Sequence, residues 1–174
     1  MTKYLLYSIV CFLSLKAISL EVTLTQGTVK PTPIAVTDLF SENTNLEKVG
    51  KNISNVIADN LERSGLFIPL DDKAFIQSNK SLSQQPRFED WKVIKAQHLV
   101  AGKITGSNGK ISVEFRLYDV FQQKQLVGKK YETSEKNWRR VAHIISDSVF
   151  KNITGEGGYF DTRIVYVSET GPKD

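Results

Sequence analysis

The sequence predicts an α/β domain in which two amphipathic helices pack on one face of a mixed, largely antiparallel sheet. Three observations carry that expectation. Apolar residues recur at spacings of three and four over residues 46–61 and again over 138–149, the period of a half-buried helix. Between them, residues 99–133 hold three strand-forming runs separated by tight turns. Short β-branched pieces flank the first helix, at Ile34–Val36 and Leu66–Ile68. Hydrophobic residues make up 40% and charged residues 24% of the 174, the composition of a globular domain rather than a disordered chain.

The chain is expected to open with an export signal, with an uncleaved anchor helix as the alternative. Lys3 gives a short positive start, and Tyr4 to Leu15 is an apolar run without charge. That run matches the core of a signal peptide and falls short of the roughly 20 residues needed to span a bilayer. Ala17 and Ser19 are small residues placed for cleavage after Ser19, with cleavage after Leu20 as the neighbouring alternative. The expected organisation is a signal peptide over 1–20, an α/β domain over 21–155, and a glycine hinge leading into a further strand over 156–174. Cys11 is the only cysteine and lies in the signal core, so the expected mature chain has no thiol chemistry.

In the body of the chain each element has its own signal. Glu21-Val22-Thr23-Leu24-Thr25 alternates polar and apolar residues, a short strand with one apolar face. Pro31 and Pro33 separate it from the buried-type strand Ile34–Val36. Asn45 is expected to cap a helix from Leu46, with Glu47 facing the positive end of its dipole. Leu46, Val49, Ile53, Val56, Ile57 and Leu61 form its apolar stripe, and Ser64-Gly65 ends it. Pro69 demotes Leu66–Ile68 to a short or edge strand. Residues 77–87 are polar and expected to form a surface loop, followed by one or two helical turns from Phe88 with Trp91 and Ile94 inward. Leu99–Ile104, Ile111–Tyr118 and Gln125–Thr133 form an antiparallel meander, turned by Ser107-Asn108-Gly109-Lys110 and by Phe121-Gln122-Gln123-Lys124. The second long helix runs from Glu135 to about Lys151, and one sheet face is expected to remain polar.

Composition excludes several function classes. Without the signal segment the chain keeps 21 basic and 19 acidic side chains, too even a balance for a nucleic-acid binder. One cysteine and two histidines rule out a disulfide framework and a cysteine–histidine zinc site. His143 and Asp147 stand four apart on one helix and could share a proton, but a helix-surface pair is the expected role. His98 is expected to be structural. Gly155-Glu156-Gly157-Gly158 lacks the lysine and hydroxyl of a phosphate loop and follows a helix instead of preceding one. The acid pairs Asp71-Asp72 and Glu89-Asp90 suit helix starts. No nucleophile, base and oxyanion set can be assembled, so neither an enzyme nor a cofactor or small-molecule substrate is expected.

The carboxy-terminal third adds a resemblance. Trp138-Arg139-Arg140-Val141-Ala142-His143-Ile144-Ile145-Ser146-Asp147 and the stretch from Thr154 to Ser168 closely resemble the TolB family of the Tol-Pal system. The likeness extends back through Val113–Asp119, Val100–Ile104, Ile57–Phe67 and Pro33–Val36. It implies an amino-terminal α/β domain that continues into a β-propeller, of which Ile164–Val167 would be the first strand. It also implies a periplasmic, non-enzymatic protein-binding module supporting outer-membrane integrity and constriction during cell division. A TolA-type inner-membrane protein would be engaged by the first mature residues, here Glu21, Val22, Thr23, Leu24 and Thr25, unless these dock as a first strand in the domain's own sheet. Contact with a Pal-type lipoprotein is not carried over, because the propeller blades are not in this sequence. The competing expectations are a periplasmic assembly or chaperone-like domain outside Tol-Pal and a non-functional fragment of a split gene.

Overall fold

The computed structural model describes residues 30–83 and 85–162. The elements, in order, are β1 (Thr32–Val36), α1 (Thr44–Arg63), β2 (Phe67–Pro69), α2 (Phe88–Val93), β3 (His98–Ser107), β4 (Lys110–Asp119), β5 (Lys124–Ser134) and α3 (Trp138–Thr154). The five strands form one sheet in the order β2-β1-β3-β4-β5. β1 runs parallel to both β2 and β3, while β3, β4 and β5 form the antiparallel meander. The mixed sheet and its helices match the expected class. Glu21–Thr25, the cleavage residues Ser19 and Leu20, and Ile164–Val167 lie outside the described residues.

Local chemistry explains the boundaries. α1 begins two residues earlier than its apolar stripe suggests, because Asn43, not Asn45, is the cap. Asn43 is extended, and its Oδ1 accepts the N–H of Asn45 at 2.9 Å. Gly65, at φ +73°, follows the last turn as expected. Asn108 and Gly109 both have positive φ, 51° and 73°, the requirement of a two-residue turn whose twist matches the strands it joins. β2 is three residues long, ends at Pro69 and lies at the sheet edge, where a missing N–H costs least.

The main core lies between the sheet and the helix pair α1/α3. Ile34, Val100, Ile104, Val113, Phe115 and Leu117 from the sheet share it with Ile53, Ile57, Leu61, Ala142, Ile145 and Val149 from the helices. The opposite face is not left polar. Ala35, Leu99, Ala101, Tyr118 and Val120 form a second core with Leu82, Trp91 and Ala96, supported by Leu70, Phe75, Phe88 and Ile94. Strand order supplies the reason. β1 to β2 and β2 to β3 are parallel crossovers running in opposite directions across the sheet, and right-handed crossovers of opposite direction pass over opposite faces. α1 takes one face, so residues 70–97 cover the other. The polar stretch expected as a surface loop therefore holds buried groups. Gln77 is 4% exposed; it accepts from the Arg87 N–H at 2.8 Å and the Trp91 indole at 3.2 Å, and donates to the Gln85 carbonyl at 3.3 Å. The β3–β5 end of this face is polar, where Lys103 and Glu114 pair at 3.5 Å and Lys130 and Glu132 at 3.0 Å.

Candidate functional site

The candidate side chains fall apart into separate structural tasks. His143 and Asp147 do not bond to each other. His143 Nδ1 meets the amide nitrogen of Asn60 on α1 at 2.9 Å. Asp147 instead accepts the backbone N–H groups of Phe160 and Asp161 at 2.7 and 3.0 Å. Asn60 is fully buried and forms the centre of a network between the two long helices. Its amide nitrogen also donates to Ser146 Oγ at 2.9 Å, its carbonyl accepts from Arg63, and Ser146 passes the chain on to the Ala142 carbonyl at 2.9 Å. With its partners in place, this buried polar group specifies how α1 and α3 register. Asn60 is not among the residues the sequence singles out, although an asparagine within an apolar helix stripe is itself a signal of buried polar pairing.

The other candidates are structural as well. His98 starts β3, facing Asp119 across the β3–β4 ladder; burial holds its imidazole below the usual histidine range, and the Asp119 charge opposes that shift. Asp71 caps a helical turn by accepting the Lys73 N–H at 3.0 Å, a bond that lowers its carboxyl below the usual range. Glu89 pairs with Lys92 at 2.8 Å and Asp90 with Arg87 at 2.7 Å. Among the described residues no group of three or more His, Cys, Asp or Glu is placed to hold a metal ion.

Two features could receive a partner. An open cavity of about 430 Å³ lies beyond the carboxyl end of β1, lined by Thr37, Asp38, Asp72, Lys73, Phe75 and Gln77 among others. That is where open α/β sheets place ligands, at the point where crossovers diverge to opposite faces. Two of its polar groups are already engaged, Asp38 beside Lys51 at 3.7 Å and Gln77 bonded within its own segment. The second feature is the pair of sheet edges. β2 is short and closed by Pro69, whereas β5 is eleven residues long and carries Lys124, Lys129 and Lys130. Lysines along an edge oppose indiscriminate strand pairing. No described helix is long and apolar enough to cross a membrane.

A family model described as the TolB amino-terminal domain matches residues 20–126. The fold is similar to the crystal structure of TolB from Acinetobacter baumannii, with 22% identity and a TM-score of 0.64, over 76% of this chain and 30% of that one. It is also similar to the lipoprotein GNA1162 from Neisseria meningitidis, with 16% identity and a TM-score of 0.48 over 60% of this chain and 81% of that one. For the LpoB carboxy-terminal domain from Salmonella enterica the figures are 13% identity and 0.41, over 63% and 87%. The chain thus spans about 30% of the length of the TolB structure it matches.

Proposed function

The chain belongs to the TolB amino-terminal domain family, and from that premise we propose that it is a non-enzymatic, periplasmic protein-binding module of the Tol-Pal cell-envelope system. Its role is to link an inner-membrane TolA-type protein to the envelope, in support of outer-membrane integrity and constriction at division. Residues 1–20 direct export with cleavage after Ser19 or Leu20, residues 21–155 are the binding domain, and residues 156–174 lead toward a propeller.

The contact is assigned to Glu21, Val22, Thr23, Leu24 and Thr25. The observation that carries it is the family match itself, which begins at residue 20 and so includes this segment. The alternation there suits addition of a strand to a partner's sheet, with backbone groups giving affinity while Val22 and Leu24 enter apolar pockets. The described domain suits an anchoring role. Among the described residues the first strand is β1, which has β2 on one side and β3 on the other, so load arriving from the amino-terminal side falls on an interior strand.

Deleting residues 21–25 and titrating the purified protein with a TolA-type partner by calorimetry tests the reading. The expected result is loss of binding with an unchanged melting temperature. Unchanged affinity removes the segment from the mechanism. A large fall in melting temperature shows that it serves its own sheet instead.

A further inference from the structure

The glycine-rich stretch after α3 is packed against the helix it leaves. Gly155 ends α3 at φ +81°, its N–H bonding the Lys151 carbonyl at 2.9 Å. The chain then doubles back along the helix. Asp147, two turns upstream, receives it: Oδ1 accepts the Phe160 N–H at 2.7 Å and Oδ2 the Asp161 N–H at 3.0 Å. Two amides on one carboxylate are charge-assisted bonds, about twice as strong as neutral ones. Arg140, two turns further up the same helix face, pairs with the Asp161 carboxylate at 3.3 Å. The Phe160 and Tyr159 rings lie edge-on to Phe150, at 5.8 and 5.6 Å between centroids, and Phe160 packs against the main core.

The two glycines in the middle of this stretch are not equivalent. A Cβ added to Gly157 would meet nothing within 4 Å. One added to Gly158 would stand 2.5 Å from the Cα of Asp147 and 2.6 Å from its Cβ, closer than real atoms approach. Neither has positive φ, so neither is required by backbone conformation. A hinge would draw on the flexibility of both. This arrangement needs only that Gly158 be small.

We propose that residues 155–161 form a latched elbow: Asp147 is the catch, Gly158 the residue that permits close approach, and Arg140 an outer clamp. The latch makes the chain leave the domain in one fixed direction, so that whatever follows is oriented by α3 instead of swinging from it. The proposal is independent of which partner the amino-terminal segment takes.

Amide exchange measured by NMR on the whole protein tests it. The Phe160 and Asp161 amides should exchange at least about tenfold more slowly than in an unstructured peptide, the order expected for bonds to a charged acceptor. Asp147→Ala should abolish that protection while the amides of 141–150 keep theirs. Gly158→Ala should do the same, and Gly157→Ala should change nothing. Fast exchange of Phe160 and Asp161 in the unmodified protein overturns the latch, as does an equal effect of the two glycine substitutions.

Discussion

Truncating Trp91 to alanine removes the centre of the second core. The side chain is 1% exposed, lies edge-on to Phe75 at 5.2 Å between ring centroids, and donates its indole N–H to Gln77 Oε1 at 3.2 Å. The polar share of the loss is small, because Gln77 Oε1 keeps the Arg87 N–H at 2.8 Å and is not left unpaired. The apolar share dominates. Burying an indole removes about 200 Å² from water, which at about 25 cal/mol per Å² comes to about 5 kcal/mol. Measured truncations of buried aromatic rings cost about 3–5 kcal/mol. The expected loss for Trp91→Ala is therefore about 4 kcal/mol, a fall in melting temperature of about 10–15 °C for a domain of this size. Trp91→Phe keeps most of the ring and loses the indole bond, so it should cost about 1–2 kcal/mol. Urea unfolding followed by circular dichroism gives both values. Tryptophan emission adds an independent check, since only the partly buried Trp138 remains in either variant. A loss below about 1 kcal/mol for Trp91→Ala, the range of an ordinary surface substitution, would show that residues 70–97 do not cover the sheet and would refute the two-core description.

Two further outcomes follow from the polar groups. Asn60→Ala should destabilise by about 2 kcal/mol through loss of its bonds to Ser146 and His143, and with His143→Ala it should couple by at least about 0.5 kcal/mol in a double-mutant cycle; additive effects would disconnect the two residues. The folded-state pKa of His98 lies below its unfolded value of 6.5, so the unfolded chain binds the extra proton first as pH falls. The stability it contributes is therefore complete above pH 6.5 and declines as pH drops toward the folded pKa. Replacing His98 by glutamine should flatten that part of the stability–pH curve measured by urea unfolding, and a difference that grows in the opposite direction on acidification would reverse the assignment.

Elements whose signals are local can be read from the residues alone. The stripes Leu46–Leu61 and Trp138–Val149 name both long helices, Asn108-Gly109 names the hairpin turn, and Pro69 restricts β2 to an edge, because each depends only on neighbours within a few residues. The proposed binding segment Glu21–Thr25 rests on the family resemblance together with its own polar–apolar alternation. Tertiary structure decided the rest. A period of two tells that Leu99, Ala101 and Tyr118 share a face, but not that residues 70–97 return over it; that follows from the order β2-β1-β3 and the handedness of its crossovers. His143 and Asp147 are four residues apart and suggest each other, yet their partners are Asn60, 83 residues away, and the returning backbone at Phe160 and Asp161. A side chain's spacing along a helix sets the direction in which it points. What it meets there depends on which distant segment the topology brings past, and no local pattern in the sequence encodes that.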